Sequence, residues 1–242
     1  MDFVDPDERF SVAKYKKMAE QKIDELVQKG ITPIIVGGTG LYVDCLVEGI
    51  EFQEVEIDLE YRNTLKEIAE KEGLQTLYNK LKEIDPISAD RISPNDFKRI
   101  SRALEVYKTT GKTITEQNRL SKLKGVKYDY IMFGLNMKRE LLYDRINKRV
   151  DLMIEQGLIQ EVEDILKRYG EFPTSMQALG YKEVKQYIEG NYTKDEMIDK
   201  LKMETRRYAK RQLTWFRRYK QINWLDATEG VDNNIRKIIT RI

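Results

Sequence analysis

Histidine is absent from all 242 residues. That excludes Ser-His-Asp and Cys-His nucleophile systems, imidazole general bases and zinc sites that need a ring nitrogen. A single cysteine, Cys45, excludes an internal disulfide and a thiolate zinc site, and fits a reducing cytoplasm. No apolar run approaches the roughly 18 residues that a membrane span needs. The first residues, Met1-Asp2-Phe3-Val4-Asp5-Pro6-Asp7-Glu8, are acidic and lack both a basic n-region and an apolar h-region, so they do not read as a signal peptide. Asn191-Tyr192-Thr193 is then a chance glycosylation match. Chemistry must run on carboxylates, hydroxyls, Arg or Lys, backbone amides, or a hard cation such as magnesium.

What the chain does have is charge, and it is unevenly placed. Charged residues make up 35% of a chain whose net charge is only +2. Between Lys202 and Lys220, eight basic residues face one acid, Glu204, so this segment alone carries +7. At 100° per residue, Leu201, Tyr208, Trp215 and Tyr219 fall on one side of a helix, with Phe216 at its edge. Arg206, Arg207, Lys210, Arg211, Arg217 and Arg218 fall on the other. Concentrated positive charge of this kind suits a polyanion. The plainer reading is a solvated amphipathic helix packed by its aromatic side.

The order of elements reads as an α/β core with a helical interruption. Ser11 begins a helix that keeps an apolar period through Val12, Tyr15, Ala19, Ile23, Leu26 and Val27, and Gly30 stops it. The β-branched run Ile31-Thr32-Pro33-Ile34-Ile35-Val36 reads as a buried strand with Pro33 near its start. Gly37-Gly38-Thr39-Gly40 follows, and a helix continues over 41–47. Helix, strand, glycine turn, helix is the pattern of a parallel-sheet layer. From 53 to 124 the pattern is helical throughout, with helices over 57–72, 74–84 and 95–110. A strand returns over 127–135, followed by helices over 138–156, 159–169, 182–189 and 193–219, a short segment at 223–226 and a last helix over 231–241. The expected domains are an α/β core at 1–52, a helical insertion at 53–124, and the rest of the core with long C-terminal helices at 125–242.

Several motifs can carry chemistry, each with a bland alternative. The turn Gly37-Gly38-Thr39-Gly40 can aim backbone N–H groups and a hydroxyl at an anion. It is neither a Walker A nor G-x-G-x-x-G, and alone it reads as a tight turn. Ser93-Pro94-Asn95-Asp96 starts a capped helix whose Lys98, Arg99 and Arg102 could reach phosphates. Arg139, Arg145, Lys148 and Arg149 follow a strand, although Glu140, Asp144 and Asp151 could pair with them. Residues 175–182 read as a loop with a Gly hinge entering a helix.

Taken in order, these segments resemble one family. They are Asp5-Pro6-Asp7-Glu8 with Phe10-Ser11-Val12-Ala13, Val36-Gly37-Gly38-Thr39-Gly40-Leu41-Tyr42, and Asn95-Asp96 with Arg99-Ile100 and Arg102-Ala103-Leu104-Glu105-Val106. Arg149-Val150-Asp151 with Gln156-Gly157-Leu158, Gln177-Ala178-Leu179-Gly180-Tyr181-Lys182-Glu183 and Tyr208-Ala209-Lys210-Arg211-Gln212 with Thr214-Trp215-Phe216-Arg217 complete the set. The chain is similar to bacterial tRNA dimethylallyltransferases, and the likeness covers essentially all of it. The resemblance implies a P-loop-NTPase-like parallel-sheet core with a helical insertion domain. It implies magnesium-dependent transfer of a dimethylallyl group from dimethylallyl diphosphate to N6 of the adenine adjoining the anticodon. A target base must leave its stack for this, which asks for stacking surfaces and backbone clamps.

Carried over residue by residue, the resemblance gives Thr39 and Arg149 the catalytic roles. Gly37, Gly38, Thr39, Gly40 and Arg145 would hold the diphosphate. Arg62, Lys98, Arg99, Arg102, Gln177, Gly180, Tyr181, Lys182, Lys210, Arg211, Gln212, Trp215 and Arg217 would meet the tRNA anticodon stem-loop. A cytoplasmic monomer without a membrane partner is expected. The sequence departs from the family at its beginning, where a strand, a P-loop of the kind G-x-x-x-x-G-K-[ST] and a general-base aspartate would stand. The expectation for the chain as written is weak or absent catalysis, some surviving tRNA affinity, and one exposed flank of the sheet. Two rivals are a relative that prenylates free adenine nucleotides and a non-catalytic RNA-binding descendant; a long basic surface argues against the first.

Overall fold

The computed structural model describes residues 3–51, 58–123, 125–170 and 175–242. The expected insertion boundaries at 53 and 124 and the expected helix start at 57 lie outside the described residues. Contacts divide the chain into two bodies, one of residues 11–37 and 41–129, the other of residues 1–10, 38–40 and 130–242.

In the first body, the Ser11 hydroxyl accepts the Lys14 N–H at 3.1 Å and caps α1 (Val12–Gln28). Gly30 turns the chain away with φ 68°, a left-handed conformation that costs glycine nothing. Ile23 packs with Cys45 and Leu46 of α2 (Gly40–Val47), and Val12, Tyr15, Ala19 and Tyr128 close the cluster. The run expected as a strand at 31–36 has no ladder partner among the described residues, and Val36 is 90% exposed. β-branched composition favours an extended backbone, but a strand exists only where a neighbour pairs with it.

The helical stretch has its own core. α3 (Leu59–Lys71), α4 (Leu74–Ile84), α5 (Pro86–Ala89) and α6 (Phe97–Thr110) bury Leu65, Leu77, Leu81, Ala89, Ile100, Ala103 and Leu104 together. Each full-sized apolar side chain here contributes about 2 kcal/mol of burial. Caps set the boundaries: Asp58 accepts the Tyr61 N–H at 2.8 Å and Asp96 the Arg99 N–H at 3.1 Å. Gly111, at φ 66°, ends α6. Neither α5 nor α7 (Ile114–Leu123) is among the expected helices. A four-residue turn has no period to read, and α7 is held from outside. Buried Asp85 caps α5 through the Ser88 N–H at 3.0 Å, and it also accepts the Thr115 hydroxyl at 2.6 Å and N–H at 3.1 Å.

In the second body, β1 (Phe133–Asn136) pairs in parallel with β2 (Asn223–Asp226), in the register Gly134↔Trp224 and Leu135↔Leu225. The expected strand at 127–135 thus shortens at its start, because pairing begins only where β2 lies alongside. A parallel pair needs a crossover, which α8 (Arg139–Glu155), α9 (Leu158–Tyr169), a 3-10 turn (Ser175–Gln177), α10 (Tyr181–Ile188) and α11 (Lys194–Phe216) provide. α12 (Val231–Ile239) follows β2. Val150, Leu158, Val162, Met176, Val184, Met197 and Leu201 form the core of the crossover helices. Thr193 and Glu196 start α11 with a reciprocal capping box.

Candidate functional site

The glycine turn and the basic helix meet in the second body. Gln212, in the last two turns of α11, donates its Nε2–H to the Gly38 carbonyl oxygen at 2.9 Å. A Cβ placed on Gly38 would strike that same amide, and its carbon Cδ would lie at 3.3 Å. One residue pair further along, a Cβ on Gly40 would enter the indole of Trp215, with Cε2 at 2.6 Å. Two glycines are required here for close approach, since neither Gly38 nor Gly40 has a left-handed backbone. Thr39, between them, is exposed.

Around this junction α11 presents a mixture of cations and rings. Arg218 lies over the Trp215 ring at 4.2 Å and its Nε–H donates to the Trp215 carbonyl at 3.0 Å. Arg211 lies 5.8 Å from the centre of the Tyr208 ring. Lys210, Arg211 and Arg217 are exposed, and no carboxylate among the described residues pairs with them. The two-faced wheel needs correction, because Tyr208 is 38% exposed while Arg206 turns inward. Arg206 donates to Asn147 Oδ1 of α8 at 2.6 Å and lies over Tyr143, and Lys202 pairs with Asp151 at 2.6 Å. A wheel assumes one buried face along the whole helix. α11 instead packs on α10 and on α8, which cover different sides.

On α8, Arg145 and Arg149 stand one turn apart on a common exposed face. Asp151, one of their candidate partners, is engaged by Lys202 instead. Gly180 opens α10 at φ 103°, where its N–H donates to Glu183 Oε2 at 2.9 Å. The Tyr181 hydroxyl donates to Glu161, and burial together with that carboxylate pushes the phenol up to about 12. Gln177 and Lys182 are exposed on either side of this turn.

The remaining expected site residues belong to the first body. Arg62 makes a bidentate pair with Glu105, at 2.5 and 2.8 Å, and Glu105 is only 2% exposed. This hydrogen-bonded partner raises the guanidinium pKa further. Arg102 stands 3.8 Å from the same carboxylate, and Arg99 pairs with its own cap, Asp96, at 3.3 Å. Lys98 is exposed. The stacking of Arg218 on Trp215 is absent from the sequence reading, although the three-residue spacing of a ring and a guanidinium on one helix could have signalled it.

The donors do not fit a metal cage, since no group of three or more His, Cys, Asp or Glu among the described residues could hold an ion. Among the described residues no helix is long and apolar enough to cross a membrane.

Comparison with known proteins bears on the same segments. A family model described as IPP transferase matches residues 1–219. A tRNA dimethylallyltransferase of Caldanaerobacter subterraneus is 50% identical over 227 residues, which cover 93% of this chain and 72% of that protein. One from Acetivibrio thermocellus is 46% identical over 230 residues, 95% of this chain and 74% of the relative. Among solved structures, the full-length tRNA isopentenylpyrophosphate transferase of Bacillus halodurans superposes with a TM-score of 0.67 at 42% identity, covering 98% of this chain and 74% of that one. A eukaryotic dimethylallyltransferase caught acting on tRNA gives 0.69 at 28% identity, over 94% of this chain and 59% of that one.

Proposed function

The chain belongs to the IPP transferase family, that of the tRNA dimethylallyltransferases, and from that premise we propose how its residues serve the reaction. A dimethylallyl group passes from dimethylallyl diphosphate to N6 of the adenine 3′-adjacent to the anticodon in tRNA. The observation that carries this reading is the junction of the anion-suited turn with the basic helix through Gln212–Gly38 and Trp215–Gly40.

The N6 lone pair forms a bond to C1 of the dimethylallyl group, the C1–O bond breaks, and diphosphate leaves with its electron pair. N6 then gives up one proton to solvent water, which leaves a neutral secondary amine. Thr39 donates its hydroxyl hydrogen bond to the diphosphate, alongside the backbone N–H groups of residues 37–40, where charge develops as the bond breaks. Arg149, with Arg145 one turn away, supplies positive charge to the leaving group. Magnesium would neutralise diphosphate charge when bound, and the roles given to the chain's own residues do not depend on it.

The RNA lies along Lys210, Arg211 and Arg217, with Trp215 and its stacked Arg218 offering a platform to unstacked bases. Lys182 and Gln177 extend this surface at the Gly180–Tyr181 turn, and Lys98, Arg99 and Arg102 add backbone contacts. Arg62, held by Glu105, shapes that basic face more than it reads RNA. In this reading residues 53–124 form the helical insertion, and 1–52 with 125–242 form the core.

The test is competition for a labelled anticodon stem-loop bound by the purified chain, followed by transfer from labelled dimethylallyl diphosphate with magnesium. Unmodified tRNA should displace the stem-loop and AMP should not, and any transferred label should sit on adenine N6. Displacement by AMP at comparable concentration, or label on another atom, overturns the reading.

A further inference from the structure

The likeness to the family assigns Gln212 to the RNA, but its amide points elsewhere. Nε2 is 2.9 Å from the Gly38 carbonyl oxygen, and the space beside Gly38 where a side chain would begin is already filled by that amide. Three residues on, one helical turn along α11, the Trp215 indole fills the corresponding space beside Gly40. The three residues 38–40 accordingly group with the body that contains α11, whereas residues 11–37 and 41–129 group together without them. An exposed, glycine-rich turn has little of its own to hold it, because glycine carries the largest backbone entropy of any residue. Two contacts from one rigid helix supply what the turn lacks.

We infer that Gln212 is a positioning residue rather than an RNA contact: through the Gly38 carbonyl, with Trp215 closing on Gly40, it holds the turn that presents Thr39. The polar donor matters as much as the shape. A carbonyl left facing a carboxylate oxygen would be repelled, so Gln212→Glu should release the turn at least as fully as Gln212→Ala. The helix that carries Lys210 and Arg211 on its exposed side thus holds the turn with its inner side, and RNA that orders α11 also orders the turn. This inference rests on the reading of the turn as the diphosphate site.

The experiment compares the wild-type chain with Gln212→Ala, Gln212→Glu and Lys210→Ala in three measurements. These are amide hydrogen exchange of the peptide covering residues 37–41, affinity for inorganic pyrophosphate, and affinity for an anticodon stem-loop. Both Gln212 variants should exchange about fivefold faster in that peptide and bind pyrophosphate more weakly by a similar factor, as expected for one net hydrogen bond. Their stem-loop affinity should stay within about twofold of wild type, the range of a surface change remote from the contact. Lys210→Ala should do the reverse. Gly38→Ala gives an independent check: its clash should be relieved by Gln212→Ala, so the two substitutions together should cost less stability than their separate costs predict.

Unchanged exchange in the Gln212 variants, or lost stem-loop affinity with pyrophosphate binding intact, overturns the inference and returns Gln212 to the RNA surface. Wild-type protein that binds no pyrophosphate would instead overturn the diphosphate reading of the turn. The exchange data and the Gly38 cycle would still decide whether Gln212 holds it.

Discussion

Arg62 and Glu105 show how a single pair constrains what a residue is available to do. Glu105 is almost fully buried, and both its oxygens receive the Arg62 guanidinium. Removing one partner of such a pair leaves an uncompensated buried charge, the costly way to break it. Arg62→Ala should therefore lower unfolding stability by about 3 kcal/mol in urea denaturation, with Arg102 at 3.8 Å limiting the loss. A loss below the error of that measurement would mean Arg62 is free to serve RNA alone. Cys45 is the opposite case, a buried group whose neutral form is favoured. Burial pushes its thiol from 9.0 up to about 11. As pH rises above 9, the unfolded chain loses that proton first while the folded chain keeps it. The stabilisation is thus complete below pH 9 and is lost as pH climbs toward 11. The stability difference between wild type and Cys45→Ala should shrink over that window, and alkylation of the native thiol at pH 8 should be slow. A constant difference would mean the thiol is not shifted.

Whole elements sort the basic residues into two groups that composition cannot separate. On α11, Lys202 and Arg206 bind α8 through Asp151 and Asn147, while Lys210 and Arg211 face outward. Lys202→Ala and Arg206→Ala should lower the thermal midpoint and leave the salt dependence of stem-loop binding unchanged. Lys210→Ala and Arg211→Ala should each reduce the slope of log K against log salt by about 1, with little change in midpoint. An equal slope change for all four would place Lys202 and Arg206 on the RNA as well. The helices themselves were largely legible. The expected span 74–84 is α4, Gly30 ends α1 as expected, and the capped start expected at 93–96 is made by Asp96. Such features are local, set by residues within one or two turns. The strand expected at 31–36 was not legible in the same way, because pairing depends on chain far away in sequence.

For the molecule as a whole, a net charge of +2 hides a local +7, and the fold decides how much of that local charge faces solvent. Arg207 pairs with Glu204, Lys202 and Arg206 face α8, and Arg218 lies over Trp215, which leaves Lys210, Arg211, Arg217 and Lys220 facing solvent for a polyanion. Stem-loop binding should show a salt slope of about 3 from this segment rather than about 6, read as the difference between wild type and a chain with all eight neutralised. A slope near 6 would mean the internal contacts open when RNA binds. Sequence alone determined that no histidine chemistry is possible, that most of the chain is helical, and that glycine-turn and basic-helix motifs both occur, because composition and short-range periodicity record these directly. That Gln212 and Trp215 close on Gly38 and Gly40, that Arg206 turns inward while Tyr208 turns out, and that Arg62 belongs to Glu105 were decided only by the tertiary structure. Each joins residues tens to more than a hundred positions apart, or depends on which neighbour covers a helix face, and no local pattern carries that information.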